Sequence, residues 1–426
     1  MAMADADAPL LNTPPLYRAF DAILERWIRR SLQDRPVSAE QLLESARKKA
    51  GLSDFGKPEF FDDLQILLET LREAPLTAIG RRGVYQVVHL ALVRRLWLQH
   101  ELERDPGLNS KLISAPFIII GFPRSGTTLL HNLLRLAPDC RWLRAWEIEP
   151  PFPSAERWGT RRDRRLREYD RRMATIRRRN PPIHRLHAAD SPEECWRLFL
   201  PSFHCHTLFF FFGFDWYKRW LEVCAADAAY RAYALHRVQL RFLQQRAAGS
   251  HWVLKSPEHT LQLPALLETY PDARIIHLHR EPHQVVASFC NLAGAVQPSV
   301  VRGLTGRQLG RQAIHWLATW AEQIVTIRNM MPPANICDIA YPDLVSSPTE
   351  TVRRVYEHFG TVVSPEFSDR LADWQYSKTS SHHRGAILHF DQFGLDQTEI
   401  DRLFERYRNR FLSPTTRTRS LKTKPT

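Results

Sequence analysis

The chain has 426 residues, 44% of them hydrophobic, and a formal net charge of +13. Such a length buries a sizeable core, and no apolar run reaches the ~20 residues of a membrane-spanning helix. The closest is Leu208 to Phe214, LFFFFGF. The positive balance suits anionic partners such as nucleotides or sulfated and phosphorylated ligands.

The N-terminal stretch MAMADADAPLLNTPP has no basic segment followed by an apolar one, so no secretory leader is expected. Cys140, Cys195, Cys205, Cys224, Cys290 and Cys337 show no CxxC spacing, as expected of reduced thiols in a cytoplasmic protein. Residues 1 to about 110 read as a helical extension. Phe20, Ile23, Leu24, Trp27, Ile28 and Leu32 follow helical spacing, and further helices are expected near Glu59–Leu71 and Val84–Leu102. From there to residue 426 the pattern is α/β: a parallel sheet flanked by helices.

Phe117 to Ile120 is a short apolar run, as a central buried strand would be. Gly121 to Thr128, GFPRSGTT, follows, and then Leu129, Leu130, Leu133 and Leu134 at helical spacing. A strand, a glycine loop and a helix in that order form the phosphate-binding P-loop context. The loop's N–H groups and the helix N-terminus attract an anion. The nucleoside-triphosphate pattern GxxxxGK[ST] is broken, because Thr127 stands where the lysine belongs. Arg124 still supplies a planar cationic fork.

Cys140 to Ile148 reads as a short extended stretch carrying Trp146 and Glu147, followed by a proline-rich break. Eleven arginines crowd Arg157 to Arg179, on a helix whose other side carries Leu166, Tyr169, Met173 and Ile176. A solvated face explains that run; the interleaved aromatics of a nucleic-acid module are absent, and no nucleic acid is expected. Ser191, Pro192 and Glu194 fit a helix start, and the aromatic block from Phe209 to Trp220 fits either core or an acceptor pocket. Further strands are expected at His251–Leu254, Arg274–His279 and Ile336–Ile339, with helices at Ala229–Arg246, Leu261–Tyr270, His283–Leu292, Leu309–Asn329 and Thr349–Phe359. Gly294 to Gly310 reads as a mobile loop. Ligands of parallel α/β sheets bind at strand carboxyl ends. Arg124, Lys255 and Arg280 each follow a strand, which is the footprint of a doubly anionic nucleotide.

PRSGTT after an apolar strand resembles the 5′-phosphosulfate loop of the sulfotransferases that use 3′-phosphoadenosine 5′-phosphosulfate (PAPS). The chain looks closest to the bacterial and tyrosylprotein-sulfotransferase-like branch, over roughly Phe117 to Phe411. The resemblance implies that Arg124, Ser125, Gly126, Thr127 and Thr128 hold the phosphosulfate. It implies that Arg280 and Ser288, in HREPHQVVAS, hold the 3′-phosphate, and that Lys255, in LKSPEH, neutralises charge on the transferring group. Trp146-Glu147, the SPEE stretch at Glu193 and Glu194, and YPDLVSSPTETVRRVYEHFG resemble further shared features. Pro342 and Glu281 depart from the commoner residues at their positions, neither of them a ligand position. His383 and Arg384 fall where the family places a loop over the 3′-phosphate.

These residues lead to the expectation of a PAPS-dependent transfer to a hydroxyl acceptor, releasing 3′,5′-ADP, with PAPS as co-substrate and no metal. The acceptor is a small-molecule, glycan or lipid hydroxyl. Two candidates stand for its base, Glu147 and His259; an apolar wall of Leu143 and Trp146 would raise the Glu147 pKa, while a salt bridge would make it structural. A P-loop kinase or NTPase needs the missing lysine and a strand-end Asp for Mg²⁺. A non-enzymatic basic binding protein leaves the three strand-end cations unexplained.

Overall fold

The computed structural model describes residues 6–7, 10, 37–152, 158–160, 163–179, 195–205, 207, 213, 226–246, 249–331, 335–379 and 389–413. Its strands form one parallel sheet in the order β2-β3-β1-β4-β5. These are β1 (Phe117–Gly121), β2 (Cys140–Trp142), β3 (His251–Lys255), β4 (Arg274–His279) and β5 (Ile336–Ala340). Every residue of the central β1 is buried, as a strand covered on both faces requires. Alternation divides it. Ile118 and Ile120 join a core with Leu254 and Ile275, whereas Phe117 and Ile119 join another with Val253 and Ile276.

The first helices are α1 (Ala39–Ala50), α2 (Phe60–Glu73) and α3 (Ala78–Arg104). Ser38 and Gln41 form a capping box on α1, and the Thr77 hydroxyl caps α3 by accepting from the Gly80 N–H. Leu64, Leu92 and Leu96 of α2 and α3 are buried in the same core as Ile118 and Leu254. The helix expected over 20–32 lies outside the described residues.

The chain continues through α4 (Thr127–Leu134), α5 (Arg164–Arg179), α6 (Trp196–Phe199), α7 (Ala228–Gln244), α8 (Glu258–Leu261), α9 (Leu263–Thr269), α10 (Pro282–Val296) and α11 (Gly306–Asn329). After β5 come α12 (Tyr341–Ser346), α13 (Pro348–His358), α14 (Pro365–Thr379), α15 (Gln397–Leu403) and α16 (Glu405–Phe411). Leu130, Leu133 and Leu134 of α4 pack with Val352 and Val355 of α13 on the second face.

The stretch expected as a mobile loop, Gly294 to Gly310, is ordered. α10 runs to Val296, a single 3₁₀ turn follows at Gln297–Ser299, and a capping box of Thr305 and Gln308 starts α11. Val301 bridges to Leu76 between them. Gly310 serves close packing, since a Cβ there would sit 2.1 Å from the Phe393 carbonyl oxygen, whereas Gly303 (φ 62°) lies in open space in the turn between the helices. No helix among the described residues is long and apolar enough to cross a membrane.

Candidate functional site

Parallel strands in register release their loops at one edge, and here five strand ends share it. Gly121 pairs with Leu278, and Ile119 with Lys255, so the turn after β1 lies between Lys255 and the end of β4. The turn needs both of its glycines. A Cβ on Gly121 (φ 140°) would meet the Leu278 carbonyl oxygen at 2.7 Å, and one on Gly126 (φ 101°) would meet Tyr341 Cδ2 at 2.7 Å. The Ser125 hydroxyl donates to the Phe122 carbonyl at 2.7 Å, and its N–H to the same oxygen at 3.1 Å, so Ser125 shapes the turn from within. Gly126 caps α4, whose first N–H groups have no intrahelical acceptor and open onto this edge.

Arg124 stands at φ 70°, a conformation costing a non-glycine residue about 1–2 kcal/mol. Two distant residues hold it. Arg280 Nη1 donates to the Arg124 carbonyl at 2.8 Å, and Arg124 Nε donates to Ser288 Oγ at 3.2 Å. Arg280 also donates from Nε to Gln284 Oε1 at 3.1 Å, and its guanidinium lies 4.3 Å from the Tyr341 ring centroid. Burial draws its pKa below the usual guanidinium value, with Tyr341 opposing. On the other side of the loop, Lys255 Nζ donates to Thr128 Oγ1 at 3.3 Å. Arg124, Lys255, Arg280, Ser288, Thr127 and Thr128 are therefore brought together from β1, β3, β4, α4 and α10.

Tyr341, which the sequence marks only as the start of a shared C-terminal stretch, is a member of this group. It follows β5 directly and packs between Gly126 and Arg280. Its position immediately after a strand was the available signal.

Glu147 is fully buried in the 3₁₀ turn after β2. Its Oε1 accepts from Arg141 Nη2 at 2.9 Å and its Oε2 from the Arg144 N–H at 3.0 Å. Leu143 and Trp146 are buried beside it in sequence as expected, but a guanidinium also faces the carboxylate. Arg141 is itself buried and sits 4.7 Å from the Trp252 ring centroid. His259 is equally buried, its Nδ1 2.8 Å from the Tyr233 hydroxyl. Burial pushes its imidazole down to about 3, Glu258 opposing, so it is neutral near pH 7.

The arginine run is only partly a solvated face. Arg165 turns inward, pairs with Asp163 at 2.7 Å, and lies 4.1 Å from the Trp158 ring centroid. Arg172 joins Arg94 and Arg197 on Glu149, at 3.3, 2.8 and 2.5 Å. Burial would raise the Glu149 pKa, but these three guanidinium groups hold it at about 2. His383, Arg384, Glu193, Glu194 and the aromatic block from Phe209 to Trp220 lie outside the described residues.

The sulfotransferase family profile matches residues 116–365. Omega-hydroxy-beta-dihydromenaquinone-9 sulfotransferase Stf3 of Mycobacterium bovis is 26% identical over 306 residues, 66% of this chain and 76% of that protein. The Mycobacterium tuberculosis protein of the same name aligns equally. Among solved structures, sulfotransferase STF1 of Mycobacterium tuberculosis is 30% identical, with a TM-score of 0.74, covering 87% of this chain and 99% of that one. Sulfotransferase STF9 of Mycobacterium avium is 27% identical, with a TM-score of 0.79, covering 89% and 98%.

Proposed function

The chain belongs to the sulfotransferase family and has the α/β fold of its members, and from that premise we propose that its sulfuryl donor is PAPS and its acceptor a hydroxyl group. The observation that carries the donor is the joining of Arg280 and Ser288 to the two ends of Arg124. That arrangement offers a second anion site beside the loop, and PAPS, unlike ATP, carries a 3′-phosphate. The N–H groups at Gly126, Thr127 and Thr128 face the 5′-phosphosulfate, within the turn that Ser125 shapes. Arg280 and Ser288 take the 3′-phosphate, and the family resemblance assigns His383 and Arg384 to the same group.

In this reading the acceptor oxygen attacks sulfur in line with the leaving phosphate. The new O–S bond forms as the S–O bond to that phosphate breaks, and its electron pair leaves on 3′,5′-ADP. Lys255 and Arg124 stabilise the charge that develops there. The acceptor proton goes to a base. We favour Glu147, which accepts it once the acceptor hydroxyl displaces Arg141 from Oε1. Residues 111–426 carry this chemistry, and α1, α2 and α3 pack against it as an N-terminal extension.

An acceptor with an apolar body is supported by the relative named for omega-hydroxy-beta-dihydromenaquinone-9. The kinase reading is disfavoured by Thr127 in place of the lysine. Calorimetry tests the proposal: 3′,5′-ADP is expected to bind tightly and ATP weakly. Tighter binding of ATP, or Mg²⁺-dependent ATP hydrolysis, would refute it.

A further inference from the structure

Behind the end of β3 converge three side chains to which the reading with Glu147 as base gives no role. We propose that Cys195, His236 and His259 form a buried binding site for a zinc-like divalent cation, fastening α6, α7 and α8 to one another. The Cys195 Sγ and one ring nitrogen of each histidine lie within 4.8 Å of one another, and all three residues are buried. The two rings stand nearly perpendicular, at 89°, and each turns its Nδ1 to a tyrosine hydroxyl. His236 Nδ1 lies 2.8 Å from the Tyr270 hydroxyl, and His259 Nδ1 lies 2.8 Å from the Tyr233 hydroxyl. Each Nε2 is then left buried with no hydrogen-bond partner among the described residues.

One orphaned buried nitrogen is a defect, whereas two histidines that each carry one, grouped with a buried cysteine, make a donor set. A thiolate and two imidazoles are ligands that zinc accepts tetrahedrally, with one position left over. Bond lengths of about 2.0–2.3 Å place such ligand atoms roughly 3.5 Å apart, so separations of at most 4.8 Å close by no more than about 1.3 Å on binding. The tyrosine hydroxyls supply the outer-shell contacts that fix a ligating histidine's tautomer. Burial lowers the pKa of both imidazoles, which keeps the neutral form a metal requires. Binding then releases the Cys195 proton.

The other cluster of metal-ligand types among the described residues, His277, His279 and Asp338, has the opposite character. There Arg328 already supplies the cation, donating to both Asp338 oxygens at 2.8 and 2.9 Å, with its Nη1 2.8 Å from His277 Nδ1. At the proposed site the Cys195 N–H donates to the Lys255 carbonyl at 2.9 Å, so an ion there braces the strand end that carries Lys255.

The test uses the full chain, stripped with a chelator and titrated with cobalt(II). The folded wild type is expected to develop tetrahedral ligand-field bands and a thiolate-to-cobalt charge-transfer band, saturating near about one equivalent and bleached by zinc. Cys195→Ser should abolish the charge-transfer band, and His236→Gln should weaken zinc binding by more than about tenfold in equilibrium dialysis. A folded wild type that shows no charge-transfer band overturns the proposal without recourse to any variant. So does an undiminished band in Cys195→Ser with native circular dichroism.

Discussion

Arg280→Ala separates the two tasks that Arg280 performs at the strand edge. Its guanidinium donates to the Arg124 carbonyl at 2.8 Å and to Gln284 at 3.1 Å, and it stacks on Tyr341. If it also holds the 3′-phosphate, truncation removes one partner of a half-buried charge pair, which costs about 2–5 kcal/mol of affinity. That is a roughly 30- to 4,000-fold rise in Kd for 3′,5′-ADP. Truncation also loosens Arg124 at its left-handed φ, and that effect falls on every nucleotide that uses the loop. 5′-ADP, which has no 3′-phosphate, measures the second effect alone. Calorimetry of wild type and variant with both ligands, at one salt concentration, completes the cycle. The expected loss for 3′,5′-ADP exceeds that for 5′-ADP by about tenfold or more. Arg280→Lys, which keeps charge but not the fork, should fall between. Equal losses for the two ligands would reduce Arg280 to a brace for the loop and refute the 3′-phosphate assignment.

Glu147→Gln tests the base: turnover should fall by ~10²–10⁴ with 3′,5′-ADP affinity nearly unchanged. The same change leaves buried Arg141 without its counter-charge, so a stability loss of about 3–5 kcal/mol should accompany it in denaturant titration. Near-normal turnover would remove Glu147 from the chemistry and leave it the Arg141 partner alone; loss of turnover in a folded His259→Ala that keeps the cobalt charge-transfer band of the wild type would then favour His259. The pH dependence of stability has a definite sign. His236, His259 and His277 are held neutral, chiefly by burial, His259 at about 3, while the unfolded chain protonates its histidines near about 6.5. Stability in chelator-treated protein should be fully present above pH ~6.5 and fall below it by about 1.4 kcal/mol per unit for each such histidine. A urea midpoint unchanged between pH ~7 and ~5 would contradict their burial as neutral groups.

Much of this protein is local, and its sequence alone determined that part. An apolar run, a turn with glycine at both ends and leucines at helical spacing already specify β1, the loop and α4, because turn chemistry and side-chain period act over a few residues. The same locality put Lys255 and Arg280 at strand ends. It could not say that Gly310 is helical, since the Phe393 carbonyl that leaves no room for a side chain there is 83 residues away. Nor could it place Tyr341 against Gly126, or decide whether Glu147 stands beside an apolar wall or a guanidinium. Arg141 is only six residues before Glu147, yet it reaches the carboxylate because Trp252 of β3 supports it from the neighbouring strand. Cys195, His236 and His259 have no common spacing at all. Only the packing of α6, α7 and α8 behind β3 brings them together, because long-range contacts are set by which apolar faces must be buried at once, and that is a property of the whole chain.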